Sequence, residues 1–325
     1  MTTHTTYLPL IHTSEQSLAD KFWRHGILFG TCIWPTLDAA HMQLLGDNFS
    51  CVYPENALKM GEVWTTPDTL DWSDMDSTAA IARSLGQTFI GAPLVWAYQN
   101  PVWLYTATPA VVSQSMRSYI RAGIERYPWM RFINVVNEAL ELDGHVRQDS
   151  PFFQAEGAGY FTAAFQQARD VCAEYGVKAR LFYNDFFISE ASKETFFRLH
   201  QAGLVDGFGF QAHWDDYNDT GFPDTTFDDL ALFAEELDAA GADLLITEMD
   251  VAYHDLDEPT RSENQAAIYA EMASLCIASP ACRLFGVWGL VDNYSWHKEY
   301  TPLVFDRDMR AKPAYYAIAE VLEAK

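Results

Sequence analysis

The chain predicts a single (β/α)8 barrel of the α/β class over residues 1–325, and three observations predict it. Eight short apolar runs alternate with eight longer amphipathic ones along 325 residues. No Gly/Ser-rich or Pro-rich linker divides these repeats, so they close into one parallel sheet. The rival arrangement, a doubly wound open sheet, lacks both of its phosphate fingerprints here, GxGxxG and GxxxxGKS/T.

The strands fall at 27–31, 49–53, 88–96, 132–137, 180–184, 207–211, 244–248 and 284–288. Helical patterns lie between them, at 36–46, 76–85, 110–127, 158–175, 190–203, 227–240, 261–278 and 313–324. In 110–127, Val111, Val112, Met116, Tyr119, Ile120 and Ile124 recur at the spacing of one helix face.

Composition narrows the function classes. The formal charge of −24 repels phosphate backbones and anionic lipid, which argues against nucleic acid and membrane surfaces as partners. No run of 18 apolar residues occurs. The first 22 residues lack a basic segment followed by an apolar one, so no secretory leader is visible. Five cysteines leave at least one thiol free; Cys276 and Cys282 sit six apart around a Ser-Pro turn, while Cys32, Cys51 and Cys172 lie in apolar patterns and read as buried thiols. Neither CxxC nor HExxH is present, and no metal or cofactor is expected. Asp216, Asn218, Thr220 and Gly221 faintly echo a calcium loop, but Phe227 stands where the bidentate Glu is needed, so that reading is rejected.

Chemistry in a barrel sits where the strands end. Here they end in Glu55-Asn56 and Lys59, in Trp96 and Gln99, in Asn137-Glu138, in Tyr183-Asn184-Asp185, in Gln211 and His213, in Glu248 and Asp250, and in Trp288. A lone Glu at a strand end is ordinarily a helix-start charge or a surface ion pair. Glu138 and Glu248, each just past an apolar run and facing one another across the mouth, instead suit glycosidic bond cleavage. His213, beside Glu248 and Asp250, is placed to hold a carboxylate in register. Aromatics are core by default, which covers Trp96 and Trp103. Trp288 and Trp296 bracket the polar stretch Asp292-Asn293-Tyr294-Ser295 and are better placed for a sugar ring.

The motifs Pro54-Glu55-Asn56-Ala57-Leu58-Lys59, Leu94-Val95-Trp96, Val135-Val136-Asn137-Glu138, Tyr183-Asn184-Asp185, Gly209-Phe210-Gln211-Ala212-His213, Ile246-Thr247-Glu248-Met249-Asp250-Val251 and Val287-Trp288-Gly289 occur in order. Together they resemble glycoside hydrolase family 10, the endo-β-1,4-xylanases, as do Pro302-Leu303-Val304-Phe305-Asp306 and Lys312-Pro313-Ala314-Tyr315. The resemblance runs from about residue 27 to 320. It implies a polysaccharide or oligosaccharide substrate and a retaining double displacement without metal or cofactor, with Glu248 as nucleophile and Glu138 as acid/base. It implies that Asn137 meets the sugar 2-hydroxyl. Gln211, His213, Lys59, Trp288 and Trp296 would line the cleaved-sugar site, and Glu55, Asn56 and Gln99 the next sugar outward. Trp96 and Tyr183 are taken as further substrate contacts and Asp250 as a support. The Cys276/Cys282 spacing also matches a disulfide common in the family.

Three positions depart from the family pattern. Its third strand usually reads G-H-T-L-V-W-H, and both histidines are alanine here, Ala92 and Ala97; Met60 replaces a tryptophan. The histidine matching Ala97 normally meets the 3-hydroxyl of the cleaved sugar, so its loss is expected to open space beside the bond. Two readings remain: an enzyme with altered specificity for a substituted xylose or a hexose, or a degenerate relative that binds a glycan without cleaving it well.

Overall fold

The computed structural model describes residues 16–324, apart from 217–221, 223 and 255. Eight parallel strands form a closed barrel: β1 (Leu28–Ile33), β2 (Cys51–Pro54), β3 (Thr88–Gly91), β5 (Phe132–Asn137), β6 (Arg180–Asp185), β7 (Gly207–Phe210), β9 (Asp243–Ala252) and β10 (Cys282–Val287). Each pairs with the next, and β10 closes the ring on β1, with Leu28 opposite Leu284. Two short strands, β4 (Val95–Trp96) and β8 (His213–Asp215), extend the rim and pair with β5 and β9.

The two faces of these strands bury different things, because successive side chains alternate. Leu28, Cys32, Cys51, Tyr53, Ile90, Phe132, Phe182, Leu245 and Leu284 fill the barrel interior. Phe29, Ile33, Val52, Ile133 and Ile246 point outward into the larger cluster beneath the helices. With both faces buried, the strands read as continuous apolar runs, as parallel strands do.

The predicted helices form at α2 (Ala39–Asn48), α4 (Ser73–Ser84), α5 (Pro109–Arg126), α7 (Gly159–Tyr175), α8 (Glu190–Gln201), α9 (Phe227–Ala240), α10 (Thr260–Ala278) and α11 (Pro313–Glu323). Their ends reflect local chemistry: Thr108 and Thr226 cap α5 and α9, and Gly176, in the left-handed conformation, ends α7. Three short helices carry too few turns to show periodicity: α1 (Leu18–Arg24), α3 (Met60–Val63) and α6 (Pro151–Glu156). Met60 is buried at the start of α3.

Two corrections concern strands. The run at 88–96 is interrupted after Gly91, where Pro93 has no N–H to give the ladder, and resumes as β4. Likewise β7 stops at Phe210, and Ala212 takes a left-handed φ of 63° before β8 begins. Cys276 and Cys282 are bonded, joining α10 to β10 with a Cα–Cα distance of 5.4 Å. Cys32, Cys51 and Cys172 are free and buried. Among the described residues, no helix is long and apolar enough to cross a membrane.

Candidate active site

The strand ends surround a cavity of about 500 Å³. Two of the residues around it are held in the left-handed region that residues with a Cβ rarely adopt, Gln99 (φ 50°) and Glu138 (φ 49°), and buried Ala212 (φ 63°) turns the chain between Gln211 and His213.

Glu138 leaves β5 through that strained turn. Its own N–H donates to the Asn184 carbonyl, and the Tyr183 hydroxyl accepts the next two N–H groups, from Ala139 and Leu140, at 3.0 and 3.1 Å. The carboxylate receives three neutral donors. Trp96 Nε1 reaches Oε2 at 2.9 Å, while Gln211 Nε2 and Asn137 Nδ2 reach Oε1 at 2.8 and 3.0 Å.

Glu248 lies within β9. Asn184 Nδ2 donates to its Oε1 at 2.7 Å, and His213 Nε2 to its Oε2 at 3.3 Å. The other ring nitrogen, Nδ1, donates to Asp250 Oδ1 at 2.9 Å, and Trp296 Nε1 donates to Asp250 Oδ2 at 2.6 Å. Burial opposes a charge on His213, but Asp250 and Glu248 outweigh it and push the pKa up to about 10. At neutral pH this residue is therefore an imidazolium clamped between two carboxylates.

Amides connect the two glutamates. Asn184 Nδ2 donates to Asn137 Oδ1 at 2.8 Å as well as to Glu248, and Asn137 in turn donates to Glu138. Thr247 Oγ1 fixes the other end of Asn184 by donating to its Oδ1 at 2.7 Å. Gly209 leaves room for that amide, since a Cβ there would collide with Asn184 Oδ1. On the neighbouring wall Lys59 Nζ donates to Asn56 Oδ1 at 2.7 Å and lies 4.9 Å above the Trp96 ring. Burial pushes the Glu55 carboxyl up, and the Lys59 charge offsets part of that.

The arrangement provides two opposed carboxyl groups with different surroundings, aromatic faces for sugar rings, and amides for hydroxyls. Among the described residues, no group of three or more His, Cys, Asp or Glu is placed to hold a metal ion. The family model described as glycosyl hydrolase family 10 matches residues 17–321. The chain belongs to this family.

It is a glycoside hydrolase similar to endo-xylanases. Endo-1,4-beta-xylanase 3 of Hypocrea jecorina is 28% identical over 282 residues, 84% of this chain and 75% of that protein. Endo-1,4-beta-xylanase B of Thermotoga neapolitana is 27% identical over 95% of this chain and 91% of its own length. Among solved structures, xylanase 10B of Thermotoga petrophila in complex with xylobiose superposes with a TM-score of 0.86 at 26% identity, covering 96% of this chain and 99% of that one. The endo-1,4-beta-xylanase XylE of Penicillium canescens gives the same TM-score and identity over 96% and 98%.

Within this family member, Glu55, Asn56, Lys59, Trp96, Gln99, Asn137, Gln211, His213, Asp250, Trp288 and Trp296 all border the cavity together with Glu138 and Glu248. Tyr183 requires a correction. It is fully buried, and its hydroxyl accepts the N–H groups behind Glu138 and donates to Asp185, so it holds the turn and does not border the cavity. Position 97 requires another: Ala97 is 4% exposed and does not border the cavity, whereas Ala92 does. The space expected beside the cleaved bond is thus absent at Ala97. Trp103 serves structure, donating to the Trp64 carbonyl at 2.9 Å.

Phe186, Trp214, Asp215 and His297 also border the cavity, and no sequence motif pointed to them. Trp214 and Asp215 lie on β8, too short to show a pattern, and Phe186 comes one residue after a recognised motif. In the calcium-like stretch, Asn218, Thr220 and Gly221 lie outside the described residues. Asp216 accepts the His254 N–H at 2.9 Å.

Proposed function

We propose that this chain is a retaining glycosidase that cleaves β-1,4-linked xylan-type chains by double displacement, with the barrel as its catalytic unit. The observation that carries this reading is the pair of carboxylates just past β5 and on β9, joined through Asn137 and Asn184 and given unlike partners.

In the first step a Glu248 oxygen attacks the anomeric carbon as the bond to the leaving oxygen breaks, and Glu138 gives that oxygen its proton. In the second, water attacks the same carbon, Glu138 takes a proton from it, and the ester to Glu248 is released. Retention calls for carboxyl groups about 5–5.5 Å apart. The imidazolium of His213 holds the Glu248 carboxylate in place through a charge-assisted hydrogen bond. Asn137 presents its amide beside Glu138 and is linked to Glu248 through Asn184, a position suited to the 2-hydroxyl contact that strengthens in the transition state.

The cleaved-sugar site differs from the family pattern at Ala92, which supports a substrate with a substituted xylose or a hexose at that position. A glycan-binding relative with poor cleavage is the second reading, favoured by the loss of both strand-three histidines and opposed by the intact carboxylate pair.

The test is sugar release, measured by mass spectrometry, from plain, arabinose-, glucuronate- and methyl-substituted xylans and mixed-linkage glucan, with Glu248→Ala alongside. Proton NMR of the first products reports the anomer. The reading expects β-products from at least one xylan and none from the variant. α-Products, or a fully active Glu248→Ala, overturn it; silence across the panel favours the binding protein.

A further inference from the structure

Between the ends of β2 and β10, both of which reach the cavity, the end of β1 carries no cavity-lining residue. Trp34 comes immediately after β1 in the chain. The register pairs Ile33 with Pro54, and the Glu55 N–H donates to the Ile33 carbonyl at 3.1 Å, so Trp34 stands directly beside Glu55 on the rim.

Tyr294 lies over it. The two rings stack with centroids 4.0 Å apart and an interplanar angle of 24°. His41 braces both edge-on, at 5.7 Å from Trp34 and 5.5 Å from Tyr294, and its own ring is fixed by Asp38 at 2.8 Å. Trp34 packs down onto the core, while Tyr294 remains 47% exposed. Trp34 covers one face of that ring and His41 meets it edge-on, which leaves the opposite face as the one neither of them covers. Trp296, two residues further along the same loop, borders the cavity. Asp292, at the loop's start, is buried and paired with Lys312 at 3.1 Å, so the loop is anchored.

A large ring held open to solvent on a braced support forfeits the burial that an aromatic ordinarily gains. We propose that Trp34 and Tyr294 form a sugar-binding platform outside the cavity, which takes one further pyranose of the chain beyond the sugar at Glu55 and Asn56. This rests on the proposed action on xylan-type chains. The occupant is a sugar because the platform continues the rim of the carbohydrate cavity and offers an aromatic face with a hydroxyl at its edge. Trp34 acts as a positioning residue that holds the Tyr294 ring flat. Substrates long enough to reach the platform gain affinity, and shorter ones do not.

The experiment uses the full chain carrying Glu248→Ala, so that ligands are not consumed, and titrates it with xylobiose, xylotriose, xylotetraose and xylopentaose by calorimetry. Tyr294→Ser and Tyr294→Phe are added on the same background. The platform predicts a step in affinity at one chain length that Tyr294→Ser reduces about fivefold to tenfold and Tyr294→Phe preserves. A step of equal size in all three proteins overturns the platform and leaves the xylan reading standing. Absence of binding by any of the oligosaccharides in all three proteins overturns both.

Discussion

The two glutamates sit in one cavity, yet their surroundings differ in kind. Around Glu138 the donors are an indole and two amides, all neutral. Around Glu248 they are an amide and an imidazolium that is itself tied to a second carboxylate. Neutral donors orient a carboxyl group without setting a full charge beside it. A fixed cation favours one state, the ionised one. The same fold thus gives Glu138, just past β5, neutral partners and Glu248, on β9, a cationic one, and the difference is set by the residues that follow β7: Gln211 reaches one side, His213 the other.

The largest effect that tests this contrast comes from deleting the carboxyl groups. Glu248→Ala is expected to lower kcat by on the order of 10⁴ or more on every substrate, because the proposed double displacement forms its intermediate on this carboxyl group. Glu138→Ala is expected to cost about 10²–10⁴ where the leaving sugar needs a proton. On an aryl glycoside whose phenol departs unprotonated, the first step of Glu138→Ala recovers most of that loss. Steady-state and burst kinetics on both substrate types measure it. Equal losses on both types in both variants would show that the two roles are not separated.

A smaller effect separates the two kinds of donor. His213→Gln removes the cation and leaves Glu248 near Asp250 uncompensated. At about 1.5–3 kcal/mol for a charge-assisted hydrogen bond, kcat should fall about 10-fold to 100-fold. Gln211→Leu removes one neutral donor from Glu138 and should cost about 2-fold to 10-fold. Stability gives a second reading of the same residue. The pKa of His213 is about 10 in the folded protein, above its ordinary 6.5. Its contribution is therefore complete below about pH 6.5 and is lost as pH rises through 10. The Tm of the wild type should drop more steeply than that of His213→Gln between these limits; parallel curves would mean the imidazole is not held charged.

Most of this was legible in the sequence, for identifiable reasons. The barrel showed because its strands are buried on both faces and its helices on one, which writes two distinct periods into the chain. The site showed because strand ends lie next to strand patterns, so Glu138, Gln211, His213 and Glu248 are located by counting. Direction was not legible. Tyr183 ends the same strand as Asn184, but alternation turns it away from the cavity, under the Glu138 turn. Ala97 comes one residue after Trp96 and is turned away likewise. A third kind of information, the bridge from Asn137 through Asn184 to Glu248, depends on contacts between residues 47 and 64 apart in sequence, and no local pattern encodes it.

The smallest expected effect concerns the two alanines, which the structure makes unequal. Ala92 borders the main cavity and also a hollow of about 10 Å³ beneath it, shared with Asn134, Asn184, Thr247 and Glu248. Asn134 Oδ1 is buried there with no hydrogen-bond partner. An imidazole at 92 is too large for a hollow that holds about one water, so it would stand at its mouth in the main cavity and narrow the site on the Glu248 side. Ala92→His is therefore expected to raise turnover of plain xylan by up to about tenfold, the value of one neutral hydrogen bond, and to reduce that of substituted chains. Ala97→His places the same ring in packed surroundings away from the cavity, with overpacking at about 1–3 kcal/mol, so it should lower Tm without a gain in turnover. Kinetics on plain and substituted xylan, with melting curves for both variants, measure the difference. If Ala97→His alone raised turnover, Ala92 would lose its place in specificity and the chain around 97 would have to move on substrate binding.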